Sequence, residues 1–122
     1  MLGQTIVIND GTSRTLVKIN SADPYSSEYY LRDPAGLFMY RFKIRHSTTK
    51  ATPSKPAYDR HNVEVVKTVF AVSGVSPEVI TKFYFVMEQE ASNSNVALAN
   101  SIANLMIASS NSFLLDLLQY QS

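Results

Sequence analysis

Between residues 37 and 47 apolar and polar side chains alternate with a period of two, placing Phe38, Tyr40, Phe42 and Ile44 on one side and Arg41, Lys43 and Arg45 on the other. This pattern predicts a strand of an antiparallel sheet with one face against an apolar layer and the other toward an anion. Shorter runs precede it. Thr5-Ile-Val-Ile8 and Thr15-Leu-Val-Lys-Ile19 flank Asn9-Asp10-Gly11-Thr12, whose Asp-Gly pair suits a tight turn, so residues 1–20 read as an N-terminal β-hairpin. Asp23-Pro24 breaks the pattern, Ser27-Glu-Tyr-Tyr-Leu31 forms a short aromatic strand, and Asp33-Pro34-Ala35-Gly36 is a turn. Residues 48–58, with Thr, Lys, Ser, Ala and two prolines, read as an exposed basic loop.

A further strand is expected over residues 60–70, with Val63, Val65 and Val69 opposite Arg60, Asn62, Glu64 and Thr68; Val66 and Lys67 break its alternation. Residues 73–77 form a loop. Strand character resumes over residues 79–88, with Thr81, Phe83, Phe85 and Met87 opposite Lys82, Tyr84, Val86 and Glu88. Residues 27–90 thus read as an antiparallel meander sheet.

After Ala91 the period changes. Ser92-Asn-Ser-Asn95 is rich in N-cap residues, and Val96, Leu98, Ile102, Leu105 and Met106 recur near the helical spacing. A break over residues 109–112 separates this helix, expected to run for roughly 12–15 residues, from a shorter one holding Phe113, Leu114, Leu115, Leu117 and Leu118. The expected fold class is α+β in a single domain over residues 1–122, with two C-terminal helices within residues 92–120. Only Asp116 is charged after Glu90, whereas a solvated amphipathic helix carries Lys and Glu on its outer side. Such neutral helices need cover on more than one face, which a chain of 122 residues does not easily supply. Leu98, Ile102, Leu105, Met106, Phe113 and Leu117 are therefore assigned to a dimer interface, with the helices of one chain lying partly over the sheet of its partner.

The net charge of +1 conceals a local imbalance, because all eleven Lys and Arg fall between Arg14 and Lys82. Between Leu37 and Arg60 six cations face one acid, Asp59. Three cations on an isolated strand are usually a solvated surface; their coincidence with Lys50, Lys55 and Arg60 favours phosphate contact, read here as RNA. The absence of cysteine removes disulfide and thiolate metal chemistry and fits a reducing cytosol. No basic-then-apolar leader and no eighteen-residue uncharged apolar run is read, so neither secretion nor membrane spanning is expected. His46 and His61 invite a metal or acid–base reading beside Glu28 or Glu64, but no spacing supplies three convergent ligands or a nucleophile with its base. Both read as strand histidines near a dimer seam, and the chain is not expected to be an enzyme. Asp23, Glu28, Asp33 and Glu78 lie at loops or strand ends, where a divalent cation between subunits would fit; no other cofactor is expected.

Ser27-Glu-Tyr-Tyr-Leu31, Lys43-Ile-Arg-His46 and Tyr58-Asp-Arg-His-Asn-Val-Glu64 resemble, in order and spacing, segments of the coat proteins of single-stranded RNA bacteriophages (leviviruses), closest to the Caulobacter-phage branch. The resemblance spans roughly residues 1–87; the helical tail is similar only in character. It implies an intertwined homodimer with a continuous ten-stranded sheet, helices outside, and assembly into an icosahedral T=3 virion capsid in the bacterial host cytoplasm. The bare sheet face would line the interior against genomic RNA and, in many members, grip an RNA hairpin that represses replicase translation. Carried over by position, the RNA-facing residues would be Arg41, Lys43, Arg45, Arg60, Asn62, Glu64, Lys82, Tyr84 and Glu88, with Tyr84 where many relatives place a base-stacking tyrosine. Arg41 and Lys43 stand where relatives carry small hydroxyl residues, and the loop over residues 71–78, which surrounds symmetry axes in the family, is shorter here. Two readings compete: a cellular single-stranded RNA-binding dimer that forms no shell, and a small enzyme using His46 or His61. Particle size separates the first; turnover lost on alanine substitution separates the second.

Overall fold

The computed structural model describes residues 3–20 and 24–121; Asp23, expected both in a chain break and in a cation site, lies outside the described residues. The elements are β1 (Thr5–Asn9), β2 (Ser13–Asn20), β3 (Ser26–Arg32), β4 (Phe38–Thr48), β5 (Tyr58–Val69), β6 (Val79–Glu90) and α1 (Ala97–Leu118). They fall into two compact units, Met1–Ala91 and Ser92–Ser122.

In the first unit each strand pairs antiparallel with its neighbour in sequence, giving one six-stranded sheet in the order β1-β2-β3-β4-β5-β6. The N-terminal hairpin is continuous with the meander, because Val17 pairs with Tyr30 and Lys18 with Tyr29, with a register shift before Asn20. Its turn follows the sequence closely. Gly11 has φ +107°, its N–H donates to Asn9 Oδ1 at 2.9 Å, and the Thr12 N–H donates to Asp10 Oδ1 at 3.2 Å.

The β4–β5 ladder runs without a shift from Phe38↔Val69 to Thr48↔Asp59, and the β5–β6 ladder from Val69↔Val79 to Tyr58↔Glu90. The break expected at Val66 and Lys67 does not occur. Lys67 instead stands on the apolar face, where its ammonium lies 3.5 Å from Asp10 and over the rings of Phe38 (5.7 Å) and Tyr40 (5.4 Å). A charge is tolerated there because its partners come from elsewhere in the fold.

Those partners show that the sheet curls. Neighbouring strands lie about 4.8 Å apart in a flat sheet, so a turn residue ahead of β2 could not reach β5 across three spacings. Asp10 does so, and also accepts a hydrogen bond from the Tyr40 hydroxyl on β4. The Tyr29 hydroxyl donates to the Gly3 carbonyl at 2.8 Å, and the Arg14 guanidinium covers Phe38 at 4.6 Å. The hairpin thereby closes over one face. Leu16 of the hairpin is buried together with Tyr29, Tyr40 and Ile44, ringed by Ile6, Ile8, Leu31, Phe38, Phe42, Val63 and Val65. We call this the core face; away from the hairpin it stays open, with Phe83 50% and Phe85 48% exposed.

In the second unit a single helical element stands where two helices were expected. Its backbone nevertheless breaks near the expected interruption: Ala108 leaves the helical region and Ser109, Ser110 and Asn111 adopt left-handed φ of 51°, 56° and 66°. The result is one kinked element with helical arms on either side. Its N-cap is Val96, not one of the preceding polar residues, and Asn95 Oδ1 accepts from the Ala97 N–H at 2.8 Å. No residue of α1 is buried. Contrary to the expectation from sequence, α1 is long and apolar enough by length and composition alone to cross a membrane; residues 97–115 carry no charge, since their polar positions are Asn and Ser. A bilayer would, however, leave the backbone groups freed at the kink without partners.

Candidate nucleic-acid interface

Opposite the core face, strict alternation places the other side chains of β3 to β6 on a second face. The ladders set them in rows: Tyr30, Arg41, Val66 and Lys82; Glu28, Lys43, Glu64 and Tyr84; Ser26, Arg45, Asn62 and Val86; Ser47, Arg60 and Glu88. All nine residues nominated for RNA contact therefore share one sheet face. Tyr84 is 63% exposed, its ring open to solvent.

This face is less uniformly basic than the β4 pattern suggests. Lys43 stands between Glu28 and Glu64 in its row, and Glu88 opposes Arg60. Arg41 is already engaged: its Nη1 lies 2.6 Å from Glu28 Oε1 and its guanidinium 5.4 Å from the Tyr30 ring centre. Arg45 and Arg60 are exposed instead and, with His46, Ser47 and Asn62, line an open depression. A second depression runs from Arg45 past Lys43 to Glu28, Ser26, Ser27 and Asn20. Arg45 borders both. Sequence reasoning missed Glu28, Tyr30 and Ser47 as members of this surface, although the alternation of Ser27-Glu-Tyr-Tyr-Leu31 places Glu28 and Tyr30 on one side.

The expected basic loop is exposed over residues 50–56 and is closed by a bridge between Thr52 and Lys55. The shorter loop after β5 is pinned by Val72↔Ser76, with Gly74 at φ +74°. The proposed dimer residues Leu98, Ile102, Leu105, Phe113 and Leu117 are exposed and Met106 is half-buried. Of the acids considered for a cation, Glu28 is bound to Arg41, Asp33 accepts from the Leu37 N–H at 3.2 Å, and Glu78 is exposed. Among the described residues, no group of three or more His, Asp or Glu gathers to hold a metal ion.

The strongest electrostatic perturbation lies on the core face. The Tyr40 hydroxyl, then the Thr12 amide and the Arg14 guanidinium, hold the Asp10 carboxyl far below the usual carboxylate range despite opposing desolvation. Tyr40 and the Asp10 carboxylate raise the Lys67 ammonium above its ordinary value. This cluster locks the hairpin and takes no part in the opposite surface.

No curated protein matches the chain. Among solved structures, the virus-like particle of Beihai levi-like virus 21 matches with a TM-score of 0.62 at 22% identity, covering 97% of this chain and 94% of that one, which is a likeness of fold. A looser likeness is to the virus-like particle of bacteriophage ESE001, with a TM-score of 0.43, 15% identity and coverage of 80% and 87%. The model of the phage phiCb5 coat protein family matches residues 3–90, the whole sheet. With most of its length matched, the chain belongs to the phage phiCb5 coat protein family.

Proposed function

We propose that two copies join through α1 and the free edge of β6, that dimers assemble into an icosahedral T=3 shell, and that the face bearing Arg45, Arg60 and Tyr84 lies inward, binding and packaging single-stranded genomic RNA. The observation that carries this reading is the co-placement of Arg41, Lys43, Arg45, Arg60, Asn62, Glu64, Lys82, Tyr84 and Glu88 on one face by an unbroken two-residue alternation. The apolar complement supports the dimer: α1 buries no residue, and Phe83 and Phe85 leave the open end of the core face half uncovered. A helix pair from a second copy over that end would satisfy both surfaces. The fold neighbour from Beihai levi-like virus 21 is itself a virus-like particle, which favours a shell over a free dimer.

Phosphate contacts by the cations would supply affinity without sequence information. Tyr84 stacking on a base would add roughly 1–3 kcal/mol, and the depression around Arg45, Asn62 and Arg60 would receive a base or phosphate of an operator hairpin, through which replicase translation is repressed. Electron microscopy of the purified protein, with absorbance at 260 and 280 nm, tests the proposal. Closed shells containing RNA are expected; a soluble monomer free of nucleic acid would refute it. A dimer that binds RNA but never elutes at megadalton size would favour the non-assembling alternative.

A further inference from the structure

We propose that His46 and His61 form a two-imidazole site for a divalent transition-metal ion with a tetragonal preference, copper(II) first and nickel(II) next. The two residues are direct cross-strand partners in the β4–β5 ladder, on the core face and beyond Ile44, the last buried residue of β4. Their ring centres lie 5.0 Å apart at an interplanar angle of 75°, and Nδ1 faces Nδ1 at 2.9 Å.

That separation is closer to the spacing of adjacent corners of a square plane than to that of a tetrahedron. With metal–nitrogen bonds of about 2.0 Å, nitrogens 2.9 Å apart subtend about 90° at the ion, the angle between adjacent corners of a square plane; tetrahedral zinc needs them about 3.3 Å apart. The ladder runs unshifted on both sides of the pair and holds the two backbones opposite each other, which keeps both rings within reach of one ion. His46 is exposed, so turning its ring brings both lone pairs onto one outside point. As the pair stands, one Nδ1–H donates to the other Nδ1; on binding, the donating ring takes up its Nε2–H tautomer through solvent, so that both Nδ1 lone pairs face the ion and both imidazoles stay neutral.

The surroundings agree. Met87 stands opposite His61 in the β5–β6 ladder, placing a thioether in the same row and tilting the choice toward copper. In the next cross-strand pair on the same face, Asp59 accepts from the Thr48 hydroxyl at 3.1 Å, which adds a carboxylate to the neighbourhood of the pair. Fifteen positions separate the two histidines in the chain, so no motif marks them.

The inference does not rest on RNA binding. Its test uses the full-length protein in its native assembly, titrated with copper(II), nickel(II) and zinc(II) sulfates against a competing chelator, with electron paramagnetic resonance of the copper form. A tetragonal spectrum with two equatorial imidazole nitrogens is expected at one copper per chain. His46→Asn and His61→Asn should each weaken copper binding at least tenfold while particle size stays unchanged. Nickel should bind more tightly than zinc, the informative comparison because copper leads at almost any nitrogen site. Unaltered copper affinity in either variant, a spectrum with oxygen ligands only, or zinc ahead of nickel would overturn the proposal. Should a variant fail to fold, copper should still shield both rings of the unmodified protein from diethyl pyrocarbonate. Equal modification with and without copper would also overturn it.

Discussion

Asp10 is the residue on which the curled sheet closes, because its carboxylate joins the hairpin tip to Tyr40 and Lys67. Its depressed folded value means that its contribution is complete above the unfolded value of about 4 and is lost as pH falls through the folded value. Lys67, raised when folded, contributes below about pH 10 and loses that contribution as pH rises. Asp10→Asn should therefore lower the urea midpoint at neutral pH and flatten its decline below about pH 4; an acid limb as steep as that of the parent would place the titration elsewhere. On the opposite face the cations should separate. Arg45→Ser and Arg60→Ser should each reduce the slope of log affinity against log salt for single-stranded RNA by about 0.7. Arg41→Ser should change that slope less and stability more, since it strips half-buried Glu28 of its partner; filter binding over a salt series decides, and equal slopes for all three would count against the distinction. Period-two alternation makes this face legible from the amino-acid sequence. It does not show which cation is already held, because Glu28 lies thirteen positions from Arg41 and meets it only through register.

At the scale of elements, strands are readable wherever β-branched and aromatic residues alternate between turn signals, as in β4 and β6. Lys67 reads as a break because its compensating charge sits in a turn 57 positions earlier, a contact that no local pattern encodes. The kink in α1 is legible from its run of Ser and Asn, residues with weak helix propensity and some tolerance of left-handed backbone. Three consecutive non-glycine residues there cost roughly 1–2 kcal/mol each. Asn111→Gly should consequently raise the thermal midpoint, and Ser110→Val should lower stability by about 1 kcal/mol or more. Opposite signs in calorimetry would show that the segment runs as ordinary helix.

As a whole molecule, the chain is a structural capsid protein of an RNA phage-like virus, located in the virion, and not an enzyme. Only four hydrophobic residues are buried among those described, Leu16, Tyr29, Tyr40 and Ile44, a small core for 122 residues and one that suits a subunit completed by its neighbours. If α1 joins two copies as proposed, Leu105→Asp should abolish that dimer, because burying an unpaired carboxylate is costly; sedimentation velocity would reveal it, and an intact dimer would move the contact away from this face of α1. β6 has a further consequence. It is twelve residues long and terminates the sheet, so its outward amides and carbonyls recur at every second residue. A strand docking there can shift only in two-residue steps, since a single step would turn the docking strand's own side chains to the opposite face. In the dimer proposed above, such a seam would admit discrete registers and no intermediate ones, so two subunits joined there would meet in one fixed alignment.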